Sequence, residues 1–143
     1  MKIHVVKFGR QTSNEVTSLA KTYELRLRAF AAVEGREVKS ATPKAIASVL
    51  ESDRIVTLDE TGSMWSSEEL SAKFKKWIDD PRIKTLTFVI GGPYGLEPEI
   101  KSKAHDVWSL SRATFPSDLA WVLAWEQIYR AFNIIKGTSY HHK

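Results

Sequence analysis

Residues 85–92, TLTFVIGG, constrain the fold more than any other stretch of the chain. A strand on a half-exposed sheet alternates apolar and polar residues. This one is apolar almost without interruption, so both of its faces must be covered, as in the middle of a parallel sheet. Parallel strands cannot be joined by hairpins. Each needs a crossover, usually a helix, so the rest of the chain must supply helices between strands.

The remaining sequence does so. KIHVVKF (2–8) alternates, is β-branched and reads as a strand that Gly9 ends. Thr12, Ser13 and Asn14 are candidate N-caps. Apolar residues at 16, 19, 20, 23, 27 and 30 then predict an amphipathic helix over 14–32. REVKSA (36–41) alternates weakly and is expected as a short strand. Thr42 and Pro43 form an N-cap and N1 pair opening a helix to about residue 52. RIVTLDE (54–60) reads as a strand, with Asp59 and Gly62 turning the chain. Ser66 or Ser67 opens a third helix with Leu70, Phe74, Trp77 and Ile78 as its apolar face. A helix over 96–104, a strand over 106–111 and a helix from Pro116 to Lys136, stopped by Gly137, complete the series. The expected fold is α/β, a single domain over residues 1–143 with no linker or internal repeat.

The last helix is apolar on nearly every side: Leu119, Trp121, Val122, Leu123, Trp125, Ile128, Phe132, Ile134 and Ile135. One sheet face cannot cover that much, so a partner subunit is the expected cover and a homodimer the expected assembly. Glu126 and Arg130 stand four apart on this helix and share a face. An ion pair at the helix rim and a charge pair placed at a site between subunits are both open here.

Several function classes are excluded or disfavoured. There is no cysteine, so disulfides, thiolate catalysis and Cys-ligated zinc are out, which fits a cytoplasmic protein. The four histidines, His4, His105, His141 and His142, show no metal-ligand spacing, and no metal is expected. No apolar run is long enough to span a membrane, and the start is not expected to be a signal peptide. A net charge of +4 permits a nucleic-acid partner without requiring one. Lys73, Lys75 and Lys76 are expected on a solvated helix face.

Two segments suggest a ligand crevice. Gly91, Gly92 and Gly95 surround Pro93 directly after the buried strand. Glycines there let a ligand approach the backbone closely, yet no Lys-Ser/Thr follows, so a nucleotide-phosphate loop is not expected. SLSRATFPS (109–117) is rich in hydroxyls and follows another strand. Taken singly, Ser109, Ser111 and Thr114 could be turn and cap residues. In an open α/β sheet, however, the C-terminal ends of neighbouring strands share one crevice.

RIVTLDETG, FVIGGPYGL, SLSRATFP and WEQIYRAFNIIKGTSYHHK, in that order, resemble the RlmH family, small SPOUT-class methyltransferases that act on bacterial large-subunit ribosomal RNA. The resemblance runs over nearly the whole chain. It implies a SPOUT-type parallel sheet with helices on both faces and a C-terminal trefoil knot, an exception to the usual topology rules. It also implies a homodimer, S-adenosylmethionine as cofactor, and methylation of N3 of a pseudouridine in 23S rRNA of assembled ribosomes. The cofactor positions implied are Leu58, Gly91, Gly92, Leu110, Ser111, Arg112, Ala113, Thr114 and Phe115. Backbone groups of these loops are expected to bond the adenine edge, with apolar side chains sandwiching the ring. The catalytic positions implied are Glu126, Arg130, Tyr140 and His141: Glu126 or His141 to accept the N3 proton, Arg130 to anchor RNA or the intermediate, Tyr140 to position. The tail of one subunit is expected to complete the site of the other.

The chain departs from the family at Ser117, where many relatives carry His, at Trp121, where Arg occurs, and at His142, where Arg is common. Its 34–44 stretch is shorter than in typical members. These changes remove basic groups and leave a second reading, a non-catalytic ribosome- or RNA-binding homologue. A nucleotide-binding regulatory dimer is a third, resting only on the generic crevice.

Overall fold

The computed structural model describes residues 1–10 and 13–142. Strands and helices alternate: β1 (Lys2–Phe8), α1 (Asn14–Leu27), β2 (Ala32–Val38), α2 (Pro43–Leu50), β3 (Arg54–Met64), α3 (Ser67–Asp79), β4 (Thr85–Ile90), α4 (Pro98–Lys103), β5 (Asp106–Ser109) and α5 (Ser117–Lys136). The five strands form one sheet in the order β2-β1-β4-β3-β5, every pairing parallel.

The apolar run sits where its composition demands. β4 lies between β1 and β3, with Phe88 opposite Val5 on one side and Val56 on the other. Leu86, Phe88 and Ile90 face α1, α3 and α5, while Val89 faces α2 and α4. The first layer is largely aromatic. Phe74 packs 5.0 Å from Phe132 and 5.8 Å from Phe88, and Trp108 lies 5.8 Å from Phe88, ring centre to ring centre. Burying each such ring contributes about 1.5–3 kcal/mol. Among the described residues, no helix is long and apolar enough to cross a membrane.

The helix starts follow cap chemistry. Ser13 caps α1 by accepting from Val16 N, Thr42 caps α2 from Ala45 N, and Ser66 caps α3 from Glu69 N. Thr12 lies outside the described residues.

Some boundaries differ from expectation. The first helix stops at Leu27 rather than 32, and the second strand spans 32–38 rather than 36–41. Parallel pairing with β1 decides this, since Val33 lies opposite Ile3 and is buried. Phe30 keeps the helical apolar phase from a turn instead, and packs on Tyr129 and Phe132. β3 does not end at residue 60. The Asp59 carboxylate accepts from the Thr61 N–H and hydroxyl, the register slips between Leu58 and Ser63, and pairing with β5 resumes to Met64. Ile78 is 44% exposed rather than part of the apolar face, because Leu70, Phe74 and Trp77 already fill the stripe. The last helix owes most of its cover to its own chain. Trp121, Trp125, Ile128 and Phe132 are buried within the fold, and Leu119 and Leu123 remain exposed.

Candidate active site

After β5, at one edge of the sheet, the chain runs back over the ends of β3 and β4 and enters α5 at Ser117. There the Ser117 hydroxyl lies within 4 Å of where a side chain on Gly9, at the end of β1, would begin. Between the crossing and the strand ends lies a crevice of about 680 Å³, within the size range of small-molecule sites.

Its walls come from three strand ends and the first turn of α5. Leu58 lies in β3 just before its register slip, Gly91 and Gly92 follow β4, and Leu110, Ser111, Ala113, Thr114 and Phe115 follow β5. Arg112, also expected here, is exposed and outside the lining. The glycine loop folds on itself through a bond from Gly95 N to Gly92 O of 3.0 Å. Gly91 is packed so closely that a methyl group on it would stand 2.7 Å from the Gly95 carbonyl carbon. Gly95 has a φ of +86°, which a side chain disfavours. Tyr94 points fully into solvent. In the opposite wall the Ser109 hydroxyl donates to Ser111 O, and Ser111 Oγ accepts from Ala113 N, so these hydroxyls shape the loop.

Among the described residues, Asp59, Glu60 and Asp118 line the crevice against a single cation, Lys101. The bonds from Thr61 hold the Asp59 carboxyl below its ordinary pKa, so it is charged at neutral pH. An acidic mouth on an apolar, glycine-walled slot disfavours phosphates. It fits a ligand carrying positive charge and an aromatic base, such as S-adenosylmethionine with its sulfonium and ammonium groups.

Glu126, Arg130, Tyr140 and His141 do come together, but elsewhere. Gly137 ends α5, and the tail turns back along the helix, held by Thr138, whose hydroxyl donates to the buried Asn133 at 2.6 Å. Arg130 Nε and Nη2 both donate to Glu126 Oε1, at 2.8 and 2.5 Å. The Tyr140 hydroxyl donates to the same oxygen at 3.2 Å, and the Arg130 guanidinium lies 4.9 Å from the Tyr140 ring centre. Arg130 Nη1 is 3.1 Å from His141 Nδ1. The ion pair to Glu126 raises the Arg130 pKa. Burial, then hydrogen bonding to Tyr23, pushes Tyr140 up, so its phenol stays protonated. Among the described residues, no group of His, Asp or Glu is arranged to hold a metal ion.

Within one chain this cluster does not meet the crevice. At about 1.5 Å and about 100° per residue, Glu126 lies roughly 9 Å along the helix from Ala120, the last α5 residue lining the crevice, and about 120° around it. Arg130 lies roughly 15 Å along. Partners the sequence did not single out are Tyr23 on α1, Glu68 on α3, and the adjacent Gln127, which donates to Glu126 Oε2 at 2.8 Å and accepts from the Ser67 hydroxyl of α3 at 2.7 Å. Lys143 lies outside the described residues.

Comparison with known proteins adds the following. The family described as "Predicted SPOUT methyltransferase" matches residues 1–141. The ribosomal RNA large subunit methyltransferase H of Maridesulfovibrio salexigens is 47% identical over 100 residues, which span 69% of this chain and 64% of that protein. The protein of the same name from Thermotoga neapolitana is 37% identical over 140 residues, covering 97% of this chain and 87% of its own. In fold, the chain resembles a probable methylase family protein from Haemophilus influenzae, with a TM-score of 0.63 at 12% identity over 99% of this chain and 70% of that one. It also resembles the SpoU methyltransferase AviRb of Streptomyces viridochromogenes, solved with AdoMet, with a TM-score of 0.50 at 13% identity over 94% of this chain and 58% of that one.

Proposed function

This chain belongs to the SPOUT methyltransferases and, among them, to the ribosomal RNA large subunit methyltransferase H family, and we propose that it methylates N3 of a pseudouridine in 23S rRNA of assembled ribosomes. In this reading it is a cytoplasmic homodimer that uses S-adenosylmethionine. The observation that carries the reading is the crevice, with its glycine and hydroxyl-rich walls, its acidic mouth and no phosphate cradle.

When bound, the cofactor supplies an electrophilic methyl group. Leu58, Leu110 and Phe115 would hold its base by apolar contact, and the loop backbones of 91–92 and 110–115 would orient it. N3 must lose a proton as it forms its new bond to carbon, so a base must stand beside it. Glu126 is the better placed of the two candidates. Arg130 can only donate, so its contact takes the Nδ1 lone pair of His141. Glu126 Oε2 accepts only from Gln127 among the hydrogen bonds described, and a carboxylate oxygen has room for another donor. Arg130 then neutralises charge on the target base and backbone, and Tyr140 fixes the Glu126 carboxylate.

The separation of cluster from crevice supports a composite site. A second copy would bring its Glu126 cluster to the crevice of the first. Phe115, Leu119 and Leu123, an exposed apolar stripe beside the crevice, are the contact for that copy.

The test is transfer of a labelled methyl group from S-adenosylmethionine to ribosomes lacking the modification. Stoichiometric incorporation is expected. Glu126→Gln should abolish it, and His141→Ala should slow it. Ribosome binding without incorporation by the folded dimer would favour the non-catalytic reading, for which the loss of basic groups at Ser117 and His142 speaks; Trp121 is buried in the core and carries no such argument.

A further inference from the structure

The cluster around Glu126 is held by a residue from another part of the fold. His141 Nε2 lies 2.9 Å from Glu68 Oε1, and Glu68 stands in the first turn of α3. The His141 side chain is 15% exposed and that of Glu68 45%, so the imidazole is largely enclosed while the carboxylate reaches it from the surface.

The hydrogen-bond chemistry of the ring follows from its two neighbours. A guanidinium has donors and no acceptor, so Nδ1 must present its lone pair to Arg130. The ring proton of the neutral imidazole is therefore on Nε2, where it donates to Glu68. One continuous chain results: Glu68 to His141, His141 to Arg130, Arg130 to Glu126. Each link fixes the orientation of the next, as a carboxylate behind a histidine does in other sites. Ser67, the neighbour of Glu68, orients the other side of the same carboxylate through Gln127.

We propose that Glu68 is a positioning residue, which orients His141 in its Nε2–H form, clasps the tail to α3 and so holds Arg130 in register with Glu126. This rests on the methyl-transfer reading for its effect on rate. The contact itself can be tested without that reading. Glu68 also sits at a helix N-terminus, where any acidic residue is favourable. Glu68→Gln and Glu68→Leu lose that interaction equally, but only Gln keeps an oxygen that can accept from Nε2–H. The difference between the two reports on an acceptor oxygen at this position, and the same pair in a His141→Ala background assigns it to the histidine. Glu68 lies at the surface, so both variants should fold.

Two measurements decide the matter. In nitrogen-labelled protein without ribosomes, the ring nitrogens of His141 should report a single Nε2–H form in the wild type and in Glu68→Gln. In Glu68→Leu they should move towards the average of a mobile ring, with faster exchange of the tail amides. In methyl transfer to ribosomes, Glu68→Leu should lower kcat about three- to tenfold, with little change in cofactor affinity, because the crevice walls are built from other residues. Glu68→Gln should stay within about twofold of wild type, and Glu68→Leu should add nothing in a His141→Ala background. Ring signals unaltered by Glu68→Leu would overturn the proposal whatever the activity. So would a full rate in Glu68→Leu with altered signals, or equal losses in the Gln and Leu variants. A wild type that binds cofactor and transfers no methyl would refute the function and with it the effect on rate. The ring signals would still decide whether Glu68 orients His141.

Discussion

Gly91→Ala places one methyl group in the tightest part of the glycine loop. That carbon would stand 2.7 Å from the Gly95 carbonyl carbon, 2.9 Å from its oxygen and 2.9 Å from Leu96 N. Ordinary carbon contacts lie at about 3.5–4.0 Å, and all three neighbours are backbone atoms, so no side-chain tip can swing aside. The loop must open by roughly 1 Å. Overpacking of this size costs about 1–3 kcal/mol. In the free protein the exposed turn at 92–94 can absorb much of that by moving outward. With cofactor bound, the loop must return to its shape as a wall, so the cost appears in affinity. S-adenosylmethionine should bind about 5- to 150-fold more weakly, measured by titration calorimetry, with only a small change in melting temperature. Tyr94→Ala is the control. Its side chain is fully exposed, and affinity should stay within about twofold. Wild-type affinity in Gly91→Ala would refute the claim that this backbone forms the cofactor wall.

Trp125 is completely buried and its indole nitrogen has no hydrogen-bond partner among the described residues. Trp125→Ala should therefore cost about 3–5 kcal/mol in denaturant unfolding, from volume alone, and Trp125→Phe distinctly less, because it also removes the unpaired donor. Burial, then the Arg36 charge, depresses the His4 pKa below 6.5. A lowered folded-state pKa means that the unfolded chain takes up the proton first. Stability should be full above pH 6.5 and fall as pH drops below it, a slope that His4→Asn should reduce in melts between pH 7 and 5. Leu119→Lys combined with Leu123→Lys should make the protein monomeric in sedimentation, and methyl transfer should fall with the dimer while the chain stays folded.

The parts of the fold legible in the sequence were those fixed by local chemistry. The doubly covered strand at 85–90 announced itself by its unbroken apolar run, and Thr42–Pro43 and Ser66 marked helix starts by cap geometry. Boundaries set by pairing were not legible. Residue 32 reads as a helix end and 33–35 as a connection until β1 takes them into the sheet. The Asp59–Gly62 bulge reads as a turn because its Asx bond is local and the resumed pairing with β5 is not. For the site, glycine and hydroxyl segments with the family resemblance led to the crevice residues, Arg112 excepted. Glu126 and Arg130 were visible as an i, i+4 pair. Tyr23 and Glu68 reach that pair from 103 and 58 positions earlier, the separations of residues 126 and 23 and of 126 and 68. No spacing rule connects residues that only the packing of α1, α3 and α5 brings together.

The composite site is tested most directly by mixing two inactive proteins. One carries Gly91→Trp, which blocks its crevice, and the other Glu126→Gln, which disables its cluster. After co-refolding in equal amounts, half of the dimers are mixed, and each mixed dimer has one intact pairing of crevice with a partner's cluster. Methyl transfer to ribosomes should return to roughly a quarter of the wild-type rate. Activity no greater than the sum of the two parents would contradict the account.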